Sequence, residues 1–236
     1  MSTAALPPTE ENLITSYERM AHTYERPAVD RVLRSLDLTL SGVALVVLSP
    51  VIGLTALAVR VGGGRPVLYG GQRVGRAGRV FTMYKFRTLR PDAEERLGPY
   101  LGEELTRRTE EERTRIGGVL RQTHLDEVPQ LWNVLRGDMA IVGPRPIRPA
   151  FFAQLCREIP QYWQRLVVRP GVTGLAQTRV TREESWANKL AHDMEYIADR
   201  SVSLYLHVIV LTLPRLTGHR PEEPTTGAGT DTAGTG

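Results

Sequence analysis

Residues 38–59 carry no charged side chain, and this run constrains the chain more than any other feature of it. It meets the length of a membrane-crossing helix, roughly 20 residues at about 1.5 Å of rise each. Yet a proline stands near its middle. Pro50 removes a backbone donor, and its ring clashes with the preceding turn, at a cost of about 3 kcal/mol in a helix interior. Ser49 beside it brings a hydroxyl that can reach the carbonyl left without a partner. The flanks are basic on both sides: Arg31 and Arg34 precede the run, and Arg60, Arg65, Arg73, Arg76 and Arg79 follow it. A spanning helix is oriented by asymmetry between such flanks. Here both ends favour the same side. A helix that enters a bilayer, breaks at Ser49-Pro50 and returns satisfies both, so a re-entrant form is expected.

The remaining chain is long enough for one domain with a real core, at 236 residues in all. Its formal net charge of +4 is carried almost wholly by arginine, since only Lys85 and Lys189 are lysine. That balance suits acidic lipid, a nucleotide or nucleic acid. A single cysteine, Cys156, rules out a disulfide framework and a cysteine-based zinc site. It fits a reducing, cytoplasm-facing setting. The first thirty residues are polar and charged, unlike a secretory leader.

Periodicity divides the chain into four segments. Residues 1–30 form a tail with a short amphipathic helix marked by Leu13, Tyr17, Met20 and Tyr24. Residues 31–60 hold the broken apolar helix, 61–217 a cytoplasmic-face domain, and 218–236 a Gly-, Thr- and Pro-rich tail that can build no core. Within the domain, 66–69 and 80–84 are strand candidates around a glycine-rich turn. Residues 103–115 carry i,i+4 pairs, Glu103 with Arg107 and Glu111 with Arg115, and read as an exposed helix stopping at Gly117-Gly118. Pro129 and Gly137 frame a short helix, and Trp186, Leu190, Met194 and Ile197 mark another. Residues 204–213 are apolar but too short to span, so they read as core or interfacial. The fold class expected is α/β, mostly α, with the strand element confined to about 66–84.

Four stretches carry recognisable chemistry. They are Tyr-Lys-Phe-Arg-Thr at 84–88, Leu-Asp-Glu-Val-Pro-Gln-Leu-Trp-Asn-Val at 125–134, Gly-Asp-Met-Ala-Ile-Val-Gly-Pro-Arg-Pro at 137–146, and Arg-Pro-Gly-Val-Thr-Gly at 169–174. Singly, each has an ordinary reading: Asp126 and Glu127 suit the start of a helix, where the macrodipole favours acids. Gly143 to Pro146 could be a rigid turn and nothing more. Together, in this order and spacing, they resemble the bacterial sugar transferase family, the monotopic phosphoglycosyl transferases. The resemblance covers about 31–216, and that family also opens on a helix broken at a Ser-Pro pair.

The resemblance implies an initiating enzyme of exopolysaccharide or glycoconjugate assembly at the cytoplasmic face of the inner membrane. Its substrates would be a nucleotide-diphosphate sugar, with UDP the nucleotide expected, and a polyprenyl phosphate such as undecaprenyl phosphate. It places the nucleophile on Asp126 and the partner acid on Glu127, with an aspartyl-phosphosugar intermediate. Mg²⁺, held by Glu127 and Asp126, is the implied cofactor. Lys85, Arg87, Arg121 and Arg145 would supply positive charge to the phosphates. His124 stands where the family commonly has a small hydroxyl residue. A membrane-anchored scaffold without catalysis is the alternative, and the intact charged positions argue against it. Nucleic acid is not an expected partner, because the arginines are dispersed and no aromatic-interleaved basic stripe occurs. Association with lipid is expected, and a homo-oligomer is left open.

Overall fold

In the computed structural model of the chain, the residues described are 26–97, 102–181 and 184–216. The expected amphipathic helix within 13–24 and the tail at 218–236 lie outside them.

The apolar run forms two helices rather than one. Helix α1 spans Pro27–Val47 and helix α2 spans Ser49–Gly63, and they meet at a bend of 63°. Pro50 cannot donate to Val46, four residues back, and the Ser49 hydroxyl takes that carbonyl instead, Oγ to O at 2.7 Å. Backbone bonds from Leu48 to Ala44 and from Ile52 to Leu48 continue on either side, so the break is local. Among the described residues, no single helix is long and apolar enough to cross a membrane; the bent pair passes that test only jointly. Val46, Val47, Leu54, Leu57 and Val61 around the bend are all more than half exposed. The second arm runs past the expected limit at Arg60 and ends at Gly63, where Gly64 takes a left-handed φ of 77°.

Strands β1 (Leu68–Val74) and β2 (Val80–Phe86) pair as an antiparallel hairpin, Leu68 opposite Phe86. The first strand runs past the expected 66–69, taking Gly70 and Gly71 into the ladder, so the turn is confined to 75–79. After β2 come the short helix α3 (Ala93–Leu97), helix α4 (Gly102–Glu111) and helix α5 (Arg115–Gln122). This corrects the expectation of one helix stopping at Gly117-Gly118. Thr114 caps a new helix, its hydroxyl accepting from Gly117 N at 2.9 Å, and both glycines lie inside it. Gly117 is required because a Cβ there would overlap the Thr88 backbone. Arg107 bridges Glu104 and Glu111 on α4, so Glu111 pairs within that helix rather than with Arg115.

A 3₁₀ turn at Leu125–Glu127 leads into α6 (Gln130–Arg136), which Gly137 closes at a φ of 91°. Strand β3 (Ala140–Val142) then pairs in parallel with β4 (Gly171–Thr173), a second small sheet outside the expected strand element. Between them lie α7 (Pro149–Glu158) and a 3₁₀ segment at Tyr162–Val167. The chain closes with α8 (Leu175–Arg179), α9 (Trp186–Asp199) and α10 (Val202–Leu216).

The core explains how the helix pair meets the domain. Leu33 of α1 packs with Val142, Leu175, Tyr196, Tyr205 and Val208, drawn from β3 and the last three helices. Val59 of α2 packs with Phe86 and Leu120. A third cluster of Met83, Val134 and Met139 seats α6 on β2. The inner faces of α1 and α2 are therefore part of the domain's core, and among the described residues their outer faces are exposed.

Candidate active site

Three segments converge on one cleft. Strand β2 carries Lys85, the 3₁₀ turn carries Asp126 and Glu127, and the loop after β3 carries Arg145. Lys85 Nζ donates to Glu127 Oε1 at 2.6 Å and lies 3.9 Å from Asp126 Oδ2. Arg145 Nη2 approaches the same Glu127 oxygen at 3.6 Å. The cleft beside them is lined by Arg73, Met83, Lys85, Glu127, Gln130, Arg145, Pro146, Gly171 and Val172. Three of its four ionic side chains are cationic, which suits an anionic ligand.

The turn owes its shape to His124, an exposed residue at φ 55° in the left-handed region. A reversal there swings the chain from the end of α5 so that Asp126 points inward and is buried. Pro129 then sits at the N-cap of α6, where its missing N–H costs nothing.

The two carboxylates sit in unlike fields. Burial pushes Asp126 above its ordinary value; Lys85 opposes this, and neighbouring Glu127 adds to it. Burial pushes Glu127 up as well, but the charges of Lys85 and Arg145 and the Lys85 hydrogen bond outweigh it, holding that carboxyl well below the usual range. One acid is thus a committed anion locked between two cations. The other is nearly stripped of water and less firmly paired.

The structure does not bring every expected cation to this cleft. Arg87 is buried with its guanidinium turned away, donating to the carbonyls of Gly63 and Arg65 at the end of α2. These bonds cap that helix, so the structure does not bring the Arg87 guanidinium into the cleft. Arg121 donates from Nε to Thr88 Oγ1 at 3.0 Å, and its charge reaches Asp126 without contact. Two further residues were not singled out from sequence. Asn133 is fully buried and joins α6 to β2, its Oδ1 accepting from Tyr84 N at 2.9 Å and its Nδ2 donating to Thr82 O at 2.7 Å. Asp37, at the margin of the apolar run, is buried against β3 and accepts from Ile141 N at 2.9 Å.

Two adjacent carboxylates beside a polar cleft fit a hard, oxygen-ligated cation. Among the described residues no group of three or more His, Cys, Asp or Glu side chains gathers to hold an ion alone. The fit is therefore to an ion that takes its other ligands from substrate and water.

An acid pair under lysine and arginine beside a polar cleft suits a ligand that carries phosphate. Comparison with known proteins shows the family. The family described as bacterial sugar transferase matches residues 29–219, and the chain belongs to that family. It is 34% identical over 183 residues to the UDP-N-acetylgalactosamine-undecaprenyl-phosphate N-acetylgalactosaminephosphotransferase of Aeromonas hydrophila, covering 76% of this chain and 42% of that protein. It is 36% identical over 196 residues to the UDP-glucose:undecaprenyl-phosphate glucose-1-phosphate transferase of Caulobacter vibrioides, covering 81% and 72% respectively. It is 37% identical to the exopolysaccharide production protein PSS of Rhizobium leguminosarum bv. phaseoli, covering 78% of this chain and 95% of that one. The chain thus spans less than half of the Aeromonas protein and nearly all of the Rhizobium one.

Proposed function

We propose that this chain transfers a sugar-1-phosphate from a UDP-sugar to polyprenyl phosphate, through a covalent intermediate on Asp126. The observation that carries the reading is the clamped acid pair: Glu127 held by Lys85 at 2.6 Å and Arg145 at 3.6 Å, with Asp126 buried alongside. An Asp126 oxygen attacks the phosphorus that bears the sugar, and the bond to the nucleoside monophosphate breaks, releasing UMP. An oxygen of polyprenyl phosphate then attacks the same phosphorus. The Asp126 oxygen leaves, and the product is a polyprenyl-diphosphate sugar. Lys85 and Arg145 face the charge that gathers on the phosphoryl oxygens, and positioning with charge neutralisation is most of what such a transfer needs. Glu127 and Asp126 would hold Mg²⁺, which when bound supplies further charge neutralisation at phosphate.

The bent foot accounts for the acceptor. A polyprenyl phosphate presents its phosphate at head-group level, whereas a nucleotide sugar is confined to the cytoplasm. A hairpin that dips into one leaflet through Val46, Val47, Leu54 and Leu57 keeps the cleft at the inner membrane's cytoplasmic face, where both substrates meet. Names of relatives that specify undecaprenyl phosphate and exopolysaccharide production support this placement in surface-polysaccharide assembly.

Two measurements test the reading. Membrane-bound protein supplied with UDP-sugars and polyprenyl phosphate should release UMP, and Asp126→Asn should abolish that release. Retention of the original rate by Asp126→Asn would sink the covalent mechanism. For topology, a cysteine placed at Arg31 in a Cys156→Ser background should resist an impermeant reagent added outside intact cells. Labelling from outside would reject re-entry.

A further inference from the structure

Three segments in or beside the cleft are each tied to the bent helix pair by one charged side chain. Just past the end of β2, Arg87 donates to carbonyls at the end of α2. From α1, Arg34 donates to the last carbonyls of α6, Nη1 to Val134 O at 2.7 Å and Nη2 to Leu135 O at 3.1 Å. Also from α1, Asp37 Oδ1 accepts from Ile141 N of β3 at 2.9 Å and from Tyr205 Oη of α10 at 3.0 Å. Arg34 and Asp37 reach α6 and β3 across 100 to 104 residues, so these contacts are matters of tertiary packing.

Asp37 stands in the most telling place. Strand β3 has one edge paired with β4, where Ala140 N donates to Pro170 O at 2.8 Å and Gly143 N to Thr173 O at 2.9 Å. Among the described residues, its other edge has no strand beside it. Asp37 meets the Ile141 N–H there, and Tyr196 Oη donates to Val142 O at 3.1 Å. The chain then turns within three residues to Arg145. Gly143 and Gly174 make that turn rigid, because a Cβ on either would overlap backbone of the facing loop. A shift of β3 is therefore carried to Arg145 with little slack to absorb it.

We propose that Asp37, on the helix at the membrane, is a positioning residue for the transfer reaction: it fixes β3 so that Arg145 faces Glu127. This rests on the proposed role of Arg145 at substrate phosphate. Asp37 touches no substrate and acts through another residue. Its acceptor oxygen matters more than its charge: both hydrogen bonds to Oδ1 come from neutral donors, while the Arg34 guanidinium stands off at 3.9 Å from Oδ2.

A double-mutant cycle tests this on the full chain in detergent micelles containing polyprenyl phosphate. Asp37→Leu removes the acceptor, and the resulting displacement of Arg145 should lower kcat/KM for the UDP-sugar by about 100-fold, as misplacement near 1 Å does elsewhere. Asp37→Asn keeps an oxygen in place and should stay within about threefold of the parent, near the limit of additivity error. Arg145→Ala should add less than about threefold to Asp37→Leu, since the two act through one contact. Losses that multiply, or a wild-type rate in Asp37→Leu, overturn the inference. So does an Asp37→Asn loss as large as that of Asp37→Leu. Should Asp37→Leu fail to fold, Asp37→Ser leaves the same N–H unmet with less disturbed packing.

Binding of UDP alone, measured by calorimetry, separates the two ideas. If the parent protein releases no UMP yet binds UDP, the transfer reaction falls while the cycle is read in UDP affinity with the same expectations. If UDP does not bind, both fall.

Discussion

Replacing Asn133 offers the most exacting check on how the cleft is held. Its amide faces the outer edge of β2 and does there what a third strand would do, taking the Tyr84 N–H and giving to the Thr82 carbonyl. A further bond reaches Asp138 Oδ2 at 3.2 Å. Asn133→Leu keeps the volume and removes all three. Two backbone groups are then left buried, at about 1–3 kcal/mol each, and the gain from an apolar side chain offsets only part. A net loss of about 3 kcal/mol follows. For a domain of this size each kcal/mol moves Tm by about 2–4 °C, so thermal unfolding of the solubilised protein at one fixed scan rate should drop by roughly 6–12 °C. Turnover should fall too, because the same amide aligns Lys85 with Glu127.

Asn133→Asp sharpens the test. It is isosteric but has no donor, and sets an anion against the Thr82 carbonyl and the Asp138 carboxylate. Its loss should equal or exceed that of Asn133→Leu at neutral pH and shrink in acid, where protonation restores one donor. A Tm within about 2 °C of the parent for Asn133→Leu, worth under 1 kcal/mol, would mean that water completes the β2 edge and that the argument fails.

Three further outcomes are expected. The neighbouring glycines of α5 should respond with opposite sign: Gly117→Ala forces a Cβ onto the Thr88 carbonyl and costs about 1–3 kcal/mol. Gly118→Ala, whose nearest neighbour would be Arg113 Nε at 3.7 Å, gains about 0.5–1 kcal/mol, and chemical denaturation of both reads the difference. At His124, φ 55° disfavours a β-branched side chain, so His124→Val should lower stability by about 1–2 kcal/mol in the same assay, with His124→Gly sparing it. The buried pair of Arg165 and Asp193, 2.7 Å apart, should punish single replacement: Asp193→Asn strands a guanidinium and costs about 3–5 kcal/mol. Burial pushes Asp193 above its ordinary value of 3.8 although Arg165 opposes it. A carboxyl raised in the folded state favours folding when protonated. That contribution is complete below 3.8 and is lost as pH rises through the folded value, so the Asp193→Asn penalty should vary with pH across that window.

Much of the site is legible in the chain because the residues concerned lie in short contiguous stretches. Asp126 and Glu127 share one turn, and Lys85 and Arg145 each sit within a distinctive motif. The helix break is legible for a simpler reason: one proline and one serine decide it, and both groups act within a single turn. Arg87 is placed at phosphate by the resemblance alone; its bonds to Arg65 and Gly63, 22 and 24 residues away, form only once the hairpin meets α2. Strands β3 and β4 have three residues each, too few for any alternation to show. Arg34 and Asp37 read from sequence as flanks of an apolar run. Their inward bonds to α6 and β3 arise only when segments a hundred residues apart are brought together.

Those long-range bonds share one physical origin. Among the described residues each sheet has two strands, so each strand keeps an edge with N–H and C=O groups that must be satisfied. A larger domain would add strands. Here helices reach across with single side chains: Asn133 to β2, and Asp37 and Tyr196 to β3. An amide, a carboxylate or a phenol satisfies one or two groups without the bulk of another strand, leaving the cleft open where a third strand would cover it. It also fixes the strand to a point on a helix. Because β2 bears Lys85 and the loop after β3 bears Arg145, those points set the distances of 2.6 and 3.6 Å to Glu127. The edge contacts and the acid–cation geometry are therefore one construction. Variants that loosen the former should change the latter before the fold itself gives way.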